Sequence, residues 1–179
     1  LWDIHDQRVS VVPHTGGLMT NQAYSAQATF TVPGLLTSEY YIIVRTDIFA
    51  QEKEGSNRTN NAVAFGPMPL GSPLLTLNGG SITGILTATN RAHYFAVQVP
   101  PGENLRLTLT GQAAVGHNQL YVSLSSLPTL AHYDTSAVGA GQNQQIVLAG
   151  APSGGTYYIL VYGDQIVLGN PFQLRAETA

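Results

Sequence analysis

The chain carries five histidines, ten acidic residues and no cysteine, so any chemistry it performs must be built from imidazole, carboxylate and hydroxyl groups. Thiol catalysis, disulfide scaffolds, thiolate zinc sites and iron–sulfur clusters all need residues it lacks. His5, His14, His93, His117 and His132 are scattered, with no HExxH and no i, i+2 pair suited to a metal on a strand. His132-Tyr133-Asp134 would set a His and an Asp on one strand face, where the carboxylate could orient the imidazole. No Gly-x-Ser-x-Gly elbow supplies a nucleophile to complete a triad. The carboxylates show no paired spacing for glycoside hydrolysis. The expectation is a non-enzyme with no metal and no cofactor. Asp47 and Asp164 end two similar segments and read as side chains that hydrogen-bond a turn.

Composition narrows the partners. Charged residues are only 9% of 179 residues and the net charge is -3. A nucleic-acid surface needs clustered Lys and Arg, so nucleic acid is excluded as a partner. No apolar run approaches the roughly 18 residues of a membrane span. Few Lys and Glu with many Thr, Ser, Asn, Gln and Gly point to an extracellular or cell-surface location, as does the lack of cysteine.

The elements that must position these groups are strands. No apolar i, i+3, i+4, i+7 pattern lasts a dozen residues without Gly or Pro. Segments rich in Val, Ile, Thr, Tyr and Phe recur instead. In the first part they are Arg8–Val12, Ala23–Val32, Tyr40–Asp47 and Ala62–Phe65. The second part has Ser81–Thr87, His93–Val99, Asn104–Thr110, Gln119–Leu124, Gln144–Leu148, Thr156–Tyr162 and Phe172–Ala176. Gly/Pro turns such as Pro33-Gly34, Pro100-Pro101-Gly102 and Gly169-Asn170-Pro171 separate them. The fold class is all-β, of sandwich type.

Three prolines between Phe65 and Pro73 mark a boundary and predict a semi-rigid linker over 66–73. Residues 74–179 suffice for a complete sandwich, whereas 1–65 are too few to close a two-sheet core and are expected to be part of one, cut on its N-terminal side. Gln51–Glu54 reads as a solvated hairpin end, Asn57-Arg58-Thr59 as a sequon in a polar turn, and Trp2 as a packing residue.

Tyr40-Tyr41-Ile42-Ile43-Val44-Arg45 and Tyr157-Tyr158-Ile159-Leu160-Val161-Tyr162 echo one another. Side chains alternate faces along a strand, and Arg45 must face out, so Tyr40, Ile42 and Val44 should face a core. The same register sends Tyr157, Ile159 and Val161 inward and Tyr158, Leu160 and Tyr162 outward. With Tyr121 and Tyr133 as neighbours, the outward set is an aromatic stripe suited to a protein or polysaccharide ligand. A neighbouring domain or the Pro linker covering that stripe is the competing expectation.

Two resemblances follow. His14-Thr15-Gly16-Gly17-Leu18, Tyr24, Phe30-Thr31-Val32-Pro33, Tyr40 to Asp47 and the closing Glu52 to Asn60-Asn61-Ala62 resemble the second half of the CARDB family, the cell-adhesion-related domain found in bacteria. Tyr94 to Gly102, Leu120-Tyr121-Val122 and Asn143 to Gly163 are similar to the bacterial pre-peptidase C-terminal (PPC) domain. The resemblances imply a partial immunoglobulin-like sandwich at 1–65 and a jelly-roll-like sandwich at 74–179. The implied role is adhesion, substrate engagement or spacing in a large exported bacterial protein. PPC relatives that bind calcium use acidic residues, and 74–90 contain none. The alternative role is a structural subunit whose open sheet edge is completed by strand addition from other subunits or neighbouring domains.

Overall fold

In the computed structural model the described residues are 6–16, 22–30, 32, 34–47, 61–113 and 115–179; no helix occurs among them. Trp2, His5, the Gln51–Glu54 segment and the Asn57 sequon lie outside the described residues. The chain divides into two compact units, one of Leu1–Pro33 and Glu39–Pro69, the other of Gly34–Ser38 and Leu70–Ala179.

Among the described residues the first unit holds one two-stranded sheet, β1 (Ser38–Arg45) with β2 (Ala62–Leu70). Its sequence-based expectations need three corrections. Arg8–Val12 and the described part of Ala23–Val32 form no strand and are exposed apart from half-buried Phe30. β-propensity reports fit to a pleated, half-buried surface, and these segments have no such surface. Within β1, Tyr40 and Ile43 are half-buried while Ile42 and Val44 are exposed, because no second sheet faces the ladder among the described residues. Finally, β2 runs straight through the expected linker at Pro67 and Pro69. Prolines two apart put their nitrogens on one side, and a two-stranded sheet leaves each strand a free edge to take them. In the same unit the His14 ring lies 4.1 Å from that of Tyr24.

The second unit is a sandwich. One sheet has the order β3 (Leu74–Leu75), β5 (Ala92–Val99), β10 (Gly155–Gln165), β7 (His117–Leu124), β8 (Thr135–Ala137). The facing sheet has the order β4 (Ile82–Leu86), β11 (Asn170–Thr178), β6 (Leu105–Gly111), β9 (Gln144–Leu148). All pairs are antiparallel except β3 with β5. Between the sheets lie Phe95, Val97, Leu107, Leu109, Leu120, Val122, Ile159, Val161, Phe172 and Leu174, the alternate residues of each strand. The register expected for β10 holds, since Tyr157, Ile159 and Val161 are in this core.

The strand order brings four connections to one end. β10 ends where β5 begins, with Tyr162 opposite Ala92, and β11 begins where β4 ends, with Asn170 opposite Leu86. The β4–β5, β6–β7, β8–β9 and β10–β11 loops therefore share that end, which holds the site described next.

Candidate functional site

The expected tyrosine stripe is not a free surface. Tyr158 (6% exposed), Leu160 (2%) and Tyr121 (6%) are buried; Tyr162 is half-buried and Tyr133 is 41% exposed. Two segments cover the outward face of β5, β10 and β7. Gly34–Ser38 crosses it as a strap. The Thr37 N–H donates to the Tyr158 hydroxyl at 3.4 Å, and the Ser72 N–H and Oγ both donate to the Leu35 carbonyl. Gly34 sits so close to Tyr94 that a Cβ there would stand 2.3 Å from the ring. From the β7–β8 connection, Tyr133 packs on Tyr121 with ring centroids 5.0 Å apart. Burial also raises the Tyr94 and Tyr121 hydroxyl pKa values. The outward parity was read correctly; the cover comes from a strap far away in the chain and from the loop that follows β7.

His132 and Asp134 do not form an imidazole–carboxylate pair. The Asp134 carboxylate instead accepts the Leu124 N–H at 2.7 Å, and the Asp134 N–H donates to the Val122 carbonyl. Asp134 fastens the end of β7.

The constellation that does form is centred on a bulge in β10. Gly163 pairs with Asn118 and Gln165 with His117, leaving Asp164 as the extra residue. A bulge re-aims side chains at its position. Here it turns the Asp164 carboxylate to His117, with Oδ2 3.0 Å from Nδ1, rather than into a turn as expected. The other His117 nitrogen, Nε2, lies 2.7 Å from the Gly139 carbonyl. On the opposite side, Arg91 donates from Nε to the Gly163 carbonyl at 2.8 Å and from Nη2 to the Asp164 carbonyl. Its guanidinium carbon lies 5.1 Å from the Tyr162 ring centroid, a cation–π contact. The Gly163 N–H donates back to the Arg91 carbonyl. An open cleft of about 390 Å³ adjoins this clamp, lined by Ala88, Arg91, Asp164, Gln165, Ile166 and Val167.

Beneath the bulge the loops are tied by the buried amides of Asn118, Gln144 and Asn170 and the half-buried amide of Gln142. Asn170 Nδ2 donates to Asn118 Oδ1 and to the Gln165 carbonyl, both at 2.9 Å. Gln144 Nε2 donates to the Asn118 and Gly139 carbonyls, and Gln142 Nε2 to that of Val115. Gly116 has φ +132°, and a Cβ there would come within 2.7 Å of the Asn170 amide, so only glycine fits the turn that closes over it.

Both nitrogens of His117 face acceptors, so the ring satisfies both contacts only as imidazolium. Burial lowers its pKa, but the Asp164 hydrogen bond, the Gly139 carbonyl, attraction to the Asp164 charge and the Val138 carbonyl outweigh it; the net pKa is raised above 6.5. A raised folded pKa gives stability that is complete below the unfolded value of about 6.5 and fades as pH climbs through the folded value. The urea midpoint should therefore fall on going from about pH 6 to above the folded pKa, and His117→Gln should flatten that fall. An equal fall in the variant would assign it to another group. A ring occupied at both nitrogens has no lone pair for a substrate proton, so this pair is not a general base as it stands. No group of three His, Cys, Asp or Glu residues suited to a metal occurs among the described residues.

The sequence reading missed His117–Asp164, the Arg91 clamp and the buried amides. One signal was available: Gly163-Asp164 within a strand, a mark of a bulge.

Residues 91–163 match the bacterial pre-peptidase C-terminal domain family. No curated protein matches the chain. Among solved structures, the chain is similar to the pre-peptidase C-terminal domain of a Bacillus anthracis collagenase. That match is 17% identical, with TM-score 0.48, over 62% of this chain and 99% of that one. It is also similar to PliG of Aeromonas hydrophila, a periplasmic inhibitor of g-type lysozyme, at 17% identity and TM-score 0.39, over 59% of this chain and 98% of that one. A third match is CorA, a surface-associated copper-binding protein of Methylomicrobium album BG8, at 10% identity and TM-score 0.43, over 60% and 98%.

Proposed function

We propose that the pre-peptidase C-terminal domain at residues 91–163 serves as a non-catalytic module of an exported bacterial protein, engaging or spacing it against an extracellular protein or polysaccharide surface. The family match carries this reading. The chemistry of the bulge supports it, because the His117–Asp164 pair closes on itself instead of opening toward a nucleophile. Residues 1–65 belong to the same proposal as a CARDB-like adhesion segment; the resemblance at His14, Tyr24 and Tyr40 to Asp47 supports that part. Of the tyrosine set, Tyr133 and Tyr162 are the contact residues proposed. Tyr158, Leu160 and Tyr121 serve the fold.

The test is a fusion of the whole chain to a reporter enzyme, exposed to insoluble collagen, peptidoglycan and polysaccharide. Retention on at least one surface, reduced several-fold by Tyr133→Ala while the variant keeps the native circular dichroism spectrum, is the expected result. Exposed aromatic anchors are worth about 1 kcal/mol or more at such contacts. The isolated chain should turn over no substrate in peptide and glycan panels. Turnover, or retention no better than that of the reporter alone, would overturn the proposal.

A further inference from the structure

The geometry points to a carboxylate-binding site at Arg91, taking a singly charged carboxylate that carries a short aliphatic group, as at the C-terminal residue of a peptide. The site is read from the bulge alone and neither needs nor tests the attachment role.

A guanidinium has five N–H donors. At Arg91 the Nε–H and one Nη2–H are held by the Gly163 and Asp164 carbonyls, which fixes the plane of the group and leaves the remaining N–H donors without a protein acceptor among the described residues. Main-chain carbonyls and the Tyr162 ring orient the cation without neutralising it. Among the described residues no carboxylate forms an ion pair with Arg91. Among the described residues Asp164 is the only acidic one lining the cleft, and its Oδ2 is turned to His117. A planar, pre-oriented cation of this kind suits a carboxylate's two oxygens, with less ordering to be done on binding.

The rest of the lining selects what the carboxylate is attached to. Ala88, Ile166 and Val167 give the cleft an apolar wall, and Val167 is largely exposed. One cation, with no second basic residue in the lining among the described residues, matches a single negative charge better than a dianionic phosphate. An aliphatic arm on the ligand would cover the wall, which otherwise stays in contact with water.

The experiment titrates the full chain with N-acetyl-leucinate and, separately, with its uncharged amide, following the Arg91 Nε–H and the Ile166 and Val167 methyl signals by NMR. Saturable shifts with the carboxylate are expected at a dissociation constant on the order of 1 mM, the range open to a fragment of this size. Binding of the amide should be weaker by about tenfold or more, the loss of a charge-assisted pair. Arg91→Gln should abolish the response. Val167→Ser leaves the clamp intact and should weaken binding several-fold, so the test survives if Arg91→Gln disturbs the fold. The site is overturned by the absence of saturable shifts, by equal binding of the amide, or by binding indifferent to Val167→Ser.

Discussion

Phe172→Ala should lower the stability of the Leu70–Ala179 unit by about 3–5 kcal/mol, the range for deleting a large buried aromatic ring. Phe172 is 1% exposed on β11, the strand held between β4 and β6. Its ring meets His93 and Phe95 edge-on, with centroids 5.5 and 6.1 Å away, so both sheets lose contacts when it goes. Its cross-strand neighbours are Gly84 on β4 and Gly111 on β6, and a Cβ at Gly84 would stand 2.5 Å from the ring's tip. Gly84 is the space the phenylalanine fills. This makes the sign of a second substitution conditional. Gly84→Ala should destabilise the native chain by overpacking, yet restore part of the loss in Phe172→Ala, where its methyl enters the cavity. Urea unfolding of the four combinations reads this directly. Additive effects would mean that the two positions do not share one packed volume.

The second unit was the legible part of the chain because its strands bury alternate residues. β9 falls on Gln144–Leu148, as expected, and β4, β5, β6, β7 and β11 differ from their expected bounds by one or two residues at an end. β10 runs three residues past Tyr162, since the bulge lets pairing continue through a Gly-Asp that reads as a turn. β3 and β8, of two and three residues, are too short to show a period. What escaped the sequence is what long-range closure decides. Thr37 reaches Tyr158 across 121 positions, and His117 reaches Asp164 across 47. Periodicity gives a side chain its face. It does not say whether another segment will come to lie on that face, which is why Tyr158 and Leu160 read as surface and are core. The first unit failed for the opposite reason. Its Val- and Thr-rich segments have strand composition, but composition without a facing layer leaves Ile42 and Val44 exposed.

Asn170→Ala should cost about 2–3 kcal/mol, although it removes a polar group from the interior, because of what it leaves behind. Asn118 Oδ1 and the Gln165 carbonyl both lose the Nδ2 donor that serves them. Asn118 is completely buried, so water cannot replace that bond without opening the end of the sandwich. One gain offsets part of the loss: Asn170 Oδ1 has no partner of its own, and its unmade bond disappears with the side chain. Asn118→Ala in the same background removes the orphaned acceptor, so the double variant should be more stable than the sum of the single losses predicts. The location of the damage separates this network from ordinary core. Loss of a general packing residue would speed amide exchange throughout the unit, whereas loss of Asn170 should speed it first near Val115, Gly139 and Gln165, whose carbonyls the side-chain amides hold. Uniform acceleration would make the amides mere filling. Local acceleration, with the Arg91 cleft binding its carboxylate more weakly, would mean that buried amides hold the loops whose geometry the bulge requires.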